Sequence, residues 1–257
     1  MPASLRRYDA AGFTRATARL RRFAEPALDA GVAARLRAVF GRELTADEAV
    51  RAIVADVRER GDAAVRDWTM RIDGVDVAVL HADPAGFEAA WESLAPDLRA
   101  ALTLARDRIR DFHALQRGVT AYGGADLQLR AVPVGRAGCY VPGGRAAYPS
   151  TVLMNVIPAQ VAGVGSVAVA TPPGPDGRAH PAVLAAAHLL GVTEVAVVGG
   201  AQAVAALAYG TETLRPVDVV VGPGNLFVTL AKRAVIGAVG IDGLAGPSEI
   251  LVVASEG

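Results

Sequence analysis

The sequence predicts an α/β fold: helices in the N-terminal region, then a parallel sheet flanked by helices. Two observations carry this. Near Leu127 the hydrophobic pattern changes from helical to an alternation of short β-rich runs and Ala-rich helical runs. The β-rich runs, such as Val195-Ala-Val-Val198, are almost continuously apolar, as strands buried on both faces of a parallel sheet must be.

Before the change the elements are helices. A short basic helix is expected at 16–23. Thr45-Ala-Asp-Glu48 is a capping box, with Thr45 able to cap and Glu48 able to reach back. The helix it opens, 46–60, sets Ala49, Ile53, Val54 and Val57 on one face. Gly61 stops or bends it, and 62–70 continues helically with Val65 and Trp68. Asp83-Pro84 is a second start signal, with Pro84 at the first helical position. A long amphipathic pattern follows through Trp91, Leu94, Leu98, Leu102, Ile109 and Phe112, broken near Pro96 and ended by Gly118. After the change, strands are expected at 128–133, 136–141, 166–170, 194–198, 217–221 and 250–254. Helices are expected at 150–162, 180–190, 201–208 and 226–235. Strands separated by helices of about three turns are βαβ crossovers. Pro172 to Gly177 is a surface loop.

Bulk properties narrow the function classes. Hydrophobic residues make up 52% of the 257, enough for a sizeable core rich in Ala and Val. Lys plus Arg and Asp plus Glu are 26 each, so no charge excess points to nucleic acid, and no nucleic-acid motif appears. No apolar stretch is long enough to span a bilayer, and the N-terminus lacks the apolar core of a signal peptide. A single cysteine, Cys139, forms no internal disulfide and suits a reducing compartment, so the expected location is cytoplasmic.

Glycine-rich corners sit where a parallel sheet binds ligands, beyond the carboxyl ends of strands. They are Val141-Pro-Gly-Gly144, Gly199-Gly200 and Gly222-Pro-Gly-Asn225. Gly246-Pro-Ser-Glu249 precedes the last expected strand and need not share that edge. Glycine admits close backbone approach, and a helix N-terminus suits a pyrophosphate. Tight strand-to-helix turns also need glycine when they bind nothing. The fingerprint Gly-x-Gly-x-x-Gly is absent at every corner, so residue patterns alone specify only a nucleotide-binding or small-molecule-binding α/β domain.

Single polar residues carry two readings each. Tyr140 can stack on or hydrogen-bond a ligand, or be a core-edge tyrosine. Gln202 and Asn225 are amides at helix starts that could hold ribose or nicotinamide groups, but Asn is also a favoured N-cap. Ser248 and Glu249 could meet a polar substrate, or Ser248 could satisfy a turn. His81, His113, His180 and His188 have no metal-ligand spacing, and His180 before Pro181 marks a helix start. Cys139 lies in an apolar strand with no base nearby, which favours a structural cysteine.

Five segments in order resemble one family: Gly138-Cys-Tyr-Val-Pro-Gly-Gly144, Tyr148-Pro-Ser-Thr-Val-Leu-Met154, Gly199-Gly-Ala-Gln-Ala203, Gly222-Pro-Gly-Asn225 and Ala245-Gly-Pro-Ser-Glu249. The family is histidinol dehydrogenase. The resemblance is weak in the N-terminal helices and specific from about Pro133 onward. It implies oxidation of L-histidinol to L-histidine through histidinal with two NAD per turnover, one zinc, and a homodimer whose active sites borrow residues from the partner. It implies two incomplete Rossmann-like domains. The chain would then divide into 1–129, helical and the start of the first domain; 130–243, the NAD-binding domain; and 244–257, a strand returning to the first domain. It assigns NAD contacts to Tyr140, Gln202 and Asn225 and a substrate contact to Ser248. Gly243 departs from the larger apolar residue usual in the family, which would loosen the turn before Gly246.

The family's zinc-ligand segment, Gln-Ala-Glu-His, and its acid–base Glu-His pair do not occur in the sequence, which runs to Gly257. The resemblance implies that both lie beyond Gly257. The expectation is therefore a cofactor-side fragment with no catalytic or metal-binding residues of its own, inactive in isolation. A non-catalytic nucleotide-binding module is the alternative.

Overall fold

The structure, a computed structural model, describes residues 9, 11, 28–119, 121–123, 126–143 and 146–246. The expected helix 16–23 and strand 250–254 lie outside the described residues, as does most of the expected return segment 244–257, Gly257 included. Among the described residues, five α-helices precede the sheet: α1 (Ala30–Phe40), α2 (Ala46–Arg60), α3 (Asp62–Asp73), α4 (Phe87–Glu92) and α5 (Pro96–Ala114). A short antiparallel pair follows, β1 (Ala121–Gly123) and β2 (Gln128–Arg130). Then come β3 (Arg136–Tyr140), α6 (Pro149–Ala162), β4 (Ser166–Thr171), α7 (Pro181–Leu189) and β5 (Glu194–Val197). The last elements are α8 (Gly200–Tyr209), β6 (Val219–Val221), α9 (Leu226–Val235) and β7 (Gly240–Ile241).

Local chemistry sets these boundaries. Thr45 and Glu48 form the reciprocal capping box that starts α2. Gly61, at φ +54°, ends α2 and opens α3, so the chain stops and restarts there. The Asp83 side chain caps the 3-10 turn Pro84–Gly86 that leads into α4. His180 Nδ1 accepts from the Ala182 N–H at 3.1 Å and caps α7, the helix-start role expected of it.

β3 to β7 form one five-stranded sheet in the order β5-β4-β3-β6-β7, and every pairing is parallel. With right-handed crossovers, this order puts α6 and α7 on one face and α8 and α9 on the other. The N-terminal helices add an outer layer on both sides. α5 packs on α6 and α4 on α7, while α2 packs on α8 and α9. α8 is therefore enclosed, and Ala201 through Ala208 are all buried. The outer edge of β5 is covered by the segment around His81, whose neighbours Leu80 and Ala82 exchange backbone hydrogen bonds with Val197 and Val195.

Three details differ from the expected elements. The segment expected as a strand at 128–133 does not join the parallel sheet; its first three residues pair with β1, a local antiparallel partner. The strand expected from Val217 begins at Val219, because the Val217 N–H turns back to the Leu207 carbonyl. β7 and α1 were not anticipated. β7 is two residues long, and α1 buries only Leu36, so neither carries a readable period.

Candidate functional site

The strand order reverses between β3 and β6. The carboxyl ends of these two strands define the crevice where an open α/β sheet takes its ligand. Tyr140 is the last residue of β3 and Gly222 the first after β6. The two corners touch through backbone. A Cβ on Gly222 would lie 2.2 Å from the Tyr140 carbonyl oxygen, and Gly222 has φ +114°. Both facts demand glycine. The corner after β5 closes against the one after β4, since a Cβ on Gly199 would come within 2.6 Å of the Pro172 ring.

Tyr140 is 4% exposed, and its hydroxyl accepts the Gly200 N–H at 3.1 Å. Burial pushes its phenol pKa up, the Gly200 hydrogen bond opposes that, and the carboxylate of Asp73 adds to the rise. The Tyr140 hydroxyl thus occupies the first N–H of α8. Gln202 lies two residues into that helix and is 0% exposed, and among the described residues neither its Oε1 nor its Nε2 has a hydrogen-bond partner. Its amide curls back over Gly200, where an added Cβ would be 2.7 Å from Oε1. Tyr140 and Gln202 therefore meet around Gly200.

Asn225 reaches the same edge from the neighbouring corner, linked to Tyr140 through the Gly222 backbone. Its Oδ1 accepts from Phe227 N–H at 3.0 Å and Val228 N–H at 3.2 Å, capping α9. Nδ2 takes no part in this cap. The N-termini of α8 and α9 thus carry partners from the chain itself. The arrangement offers neutral amides and a phenol rather than a bare phosphate-binding helix end, in keeping with the missing Gly-x-Gly-x-x-Gly. Ser248, Glu249 and Gly257 lie outside the described residues.

Lys232 and Asp242 also belong to this edge, and the sequence reading passed over them. Lys232 is 4% exposed on α9, donates to the Gly222 carbonyl, and reaches Asp242 Oδ1 at 2.7 Å. Asp242 Oδ2 accepts the Gly222 N–H at 2.8 Å. A signal was present: Val228, Lys232 and Val235 fall on one helix face at spacings of four and three, so a lysine stands on the buried side. An added Cβ on Gly243 meets nothing within 4 Å among the described residues, but its φ of +159° is one a larger residue adopts only with strain.

The remaining chemistry-bearing residues do not gather here. Cys139 is buried, and burial, with Asp242 nearby, pushes its pKa up to about 12, so it is a packed thiol. His81 bonds the Thr213 carbonyl, His113 bonds Gln116, and His188 stacks near Trp91. Among the described residues no group of three or more His, Cys, Asp or Glu could hold a metal ion, so these residues do not fit a zinc site. An open groove lined by Arg51, Arg58 and Tyr209 lies at the far end of α8 from these corners. No helix among the described residues is long and apolar enough to cross a membrane.

The strand order and the corners at its reversal define a doubly wound, Rossmann-like α/β protein. Comparison with known proteins narrows this. The family model for histidinol dehydrogenase matches residues 40–257. The histidinol dehydrogenase of Parasynechococcus marenigrum (strain WH8102) is 55% identical over 208 residues, covering 79% of this chain and 48% of the relative. That of Deinococcus radiodurans is 50% identical over 240 residues, covering 92% of this chain and 54% of the relative. A solved histidinol dehydrogenase from Elizabethkingia anophelis matches with a TM-score of 0.73 at 32% identity, over 80% of this chain and 49% of that chain. The chain belongs to the histidinol dehydrogenase family. It spans about half the length of the curated relatives it matches.

Proposed function

We propose that this chain forms the dinucleotide side of a histidinol dehydrogenase and binds NAD in the crevice between the ends of β3 and β6. One observation carries the reading above others: Gln202 is fully enclosed, yet both amide atoms lack partners among the described residues. A buried, unsatisfied amide is costly unless a ligand or water completes it. Here it stands beside Tyr140 near the switch point, and a turn of the enclosed side chain toward the crevice would give a carboxamide-bearing or ribose-bearing ligand both its donor and its acceptor. NAD, when bound, supplies the hydride acceptor. Tyr140 holds one wall and keeps Gly200 fixed, Gln202 offers paired donor and acceptor atoms, and Asn225 offers its Nδ2. Ser248 is proposed as a contact to L-histidinol.

The family resemblance extends the proposal to the two-step oxidation of L-histidinol through histidinal to L-histidine, to zinc, to a homodimer and to the cytoplasm. The oxidation needs a base to take the substrate's proton as hydride leaves. Among the described residues no group of three or more His, Cys, Asp or Glu could hold a metal ion, and the carboxylate at the crevice, Asp242, is engaged by Lys232 and the Gly222 N–H. The acid–base pair and the zinc ligands are accordingly proposed to belong to sequence beyond Gly257. Residues 1–257 alone are proposed to bind NAD without turning over histidinol.

The test is calorimetric titration of purified residues 1–257 with NAD. A second arm adds histidinol and zinc and follows the NADH absorbance beside the Deinococcus radiodurans relative. Saturable NAD binding without NADH production is expected. No binding at millimolar NAD would overturn the cofactor reading, and turnover matching the relative would overturn the proposed inactivity.

A further inference from the structure

We infer that Lys232 and Asp242 are positioning residues for the dinucleotide crevice: their ion pair clamps the one peptide segment on which the β6–α9 corner turns. The inference rests on the NAD reading given above.

Two contacts hold Gly222, and two more tie together the groups that make them. Its carbonyl accepts from the Lys232 ammonium, and its N–H donates to Asp242 Oδ2 at 2.8 Å. Lys232 Nζ and Asp242 Oδ1 are 2.7 Å apart, and the Gly243 N–H donates to the same oxygen at 2.9 Å. The two polar backbone atoms of one residue are thus held by opposite charges that hold each other. Gly222 is also the residue that abuts the Tyr140 carbonyl, and the chain from it runs through Pro223 and Gly224 to Asn225. The direction of the Gly222 peptide therefore sets both the gap to β3 and the start of α9.

Fold stability is a poor account of such a pair. Enclosing an ammonium carries a desolvation cost, and an apolar pair of similar volume often serves a core as well or better. β7 is already attached without it, by the register of Val219 with Gly240 and Val220 with Ile241. What an apolar pair would not supply is a fixed orientation for the Gly222 carbonyl and N–H. A corner fixed before the ligand arrives avoids an ordering cost on binding. The pair fits a preorganising role.

The experiment compares wild type, Lys232→Met, Asp242→Asn and the double variant Lys232→Met/Asp242→Leu. NAD dissociation constants, melting temperature and the hydrogen exchange of the Gly222 amide are read for each. Lys232→Met leaves a carboxylate without its counter-charge and should lower the melting temperature. The double variant removes both charges and should recover most of that loss. NAD affinity should stay about tenfold weaker in the double variant, with faster exchange at Gly222 and unchanged exchange in β3 and β4. A double variant with wild-type NAD affinity and wild-type Gly222 exchange would overturn the inference. If the single variants do not fold, the double variant alone decides. If wild type binds no NAD, the cofactor reading fails, and the clamp is judged on Gly222 exchange, where no acceleration would overturn it.

Discussion

At the amino-terminal end of the parallel sheet, polar side chains bond to one another; at the carboxyl end, one fully buried amide bonds to nothing among the described residues. Arg136 opens β3 and reaches Glu194 at the start of β5 and Ser166 at the start of β4, the latter at 3.2 Å. Its N–H donates to Asp218 at 2.7 Å, which ties in the approach to β6. Arg136 Nε alone is left over. At the other end the charges of Lys232 and Asp242 are engaged by the Gly222 backbone, and both polar atoms of Gln202 stay open. Groups that serve only the fold tend to be saturated within it. An unsaturated group held in place at the ligand end is what a site looks like before its ligand arrives.

The largest effect is expected from closing the gap between β3 and β6. Gly222→Ala adds a Cβ 2.2 Å from the Tyr140 carbonyl at φ +114°. Strain and overpacking together should cost about 3 kcal/mol of stability and abolish NAD binding. Urea denaturation with NAD titration checks both. A stable, binding-competent variant would mean the two corners are not in contact.

The amino-terminal network should yield a smaller effect of a different kind. Arg136→Met breaks a largely buried pair, while Arg215 remains 3.5 Å from Glu194 to soften the loss. About 2 kcal/mol of stability should go, with NAD affinity unchanged in the molecules that remain folded. A parallel loss of affinity would erase the distinction between the two ends.

Cys139 separates them further through pH. Its thiol is pushed from 9.0 to about 12, chiefly by burial. Between those values the unfolded chain has released the proton and the folded one retains it. Stability should therefore fall by roughly 1.4 kcal/mol per pH unit above about pH 9, relative to Cys139→Ala. Below pH 9 the two proteins should share one pH dependence. Denaturation series on both proteins test this. Rapid alkylation of the folded protein at pH 8 would show instead that the thiol is open to the crevice.

Much of this was legible in the sequence, where local chemistry decides. α2 starts and ends as expected because Thr45 and Glu48 cap it and Gly61 closes it. α9 does so because Asn225 caps it and Lys232 and Arg233 fill its last turn. The glycine corners were visible because tight turns at strand ends leave little choice of residue. Partners set by closure of the whole sheet were not visible. β7 exists only through its pairing with Val219 and Val220, and 128–130 has a strand's composition whichever sheet it joins. The Lys232–Asp242 pair needs α9 packed against β6 before the two residues meet. The spacing of Lys232 showed that it is buried, while its partner depended on tertiary structure.

The smallest effect on stability should be the sharpest on function. Gln202→Leu replaces an enclosed amide, whose two polar atoms have no partner among the described residues, with an apolar side chain of similar length. Removing an unsatisfied buried polar group is neutral or favourable, so stability should change by roughly 1 kcal/mol or less, in the stabilising direction. If the amide is held open for NAD, affinity should fall about tenfold in the same protein. Gain of stability with loss of binding marks a residue whose cost to the fold is offset by its ligand, and no residue of the Arg136 network should show that pattern. Calorimetry and urea denaturation on one preparation read both quantities. Loss of stability together with retained binding would show that Gln202 is satisfied within the fold, for instance by an enclosed water, and would take from the crevice its strongest claim to the cofactor.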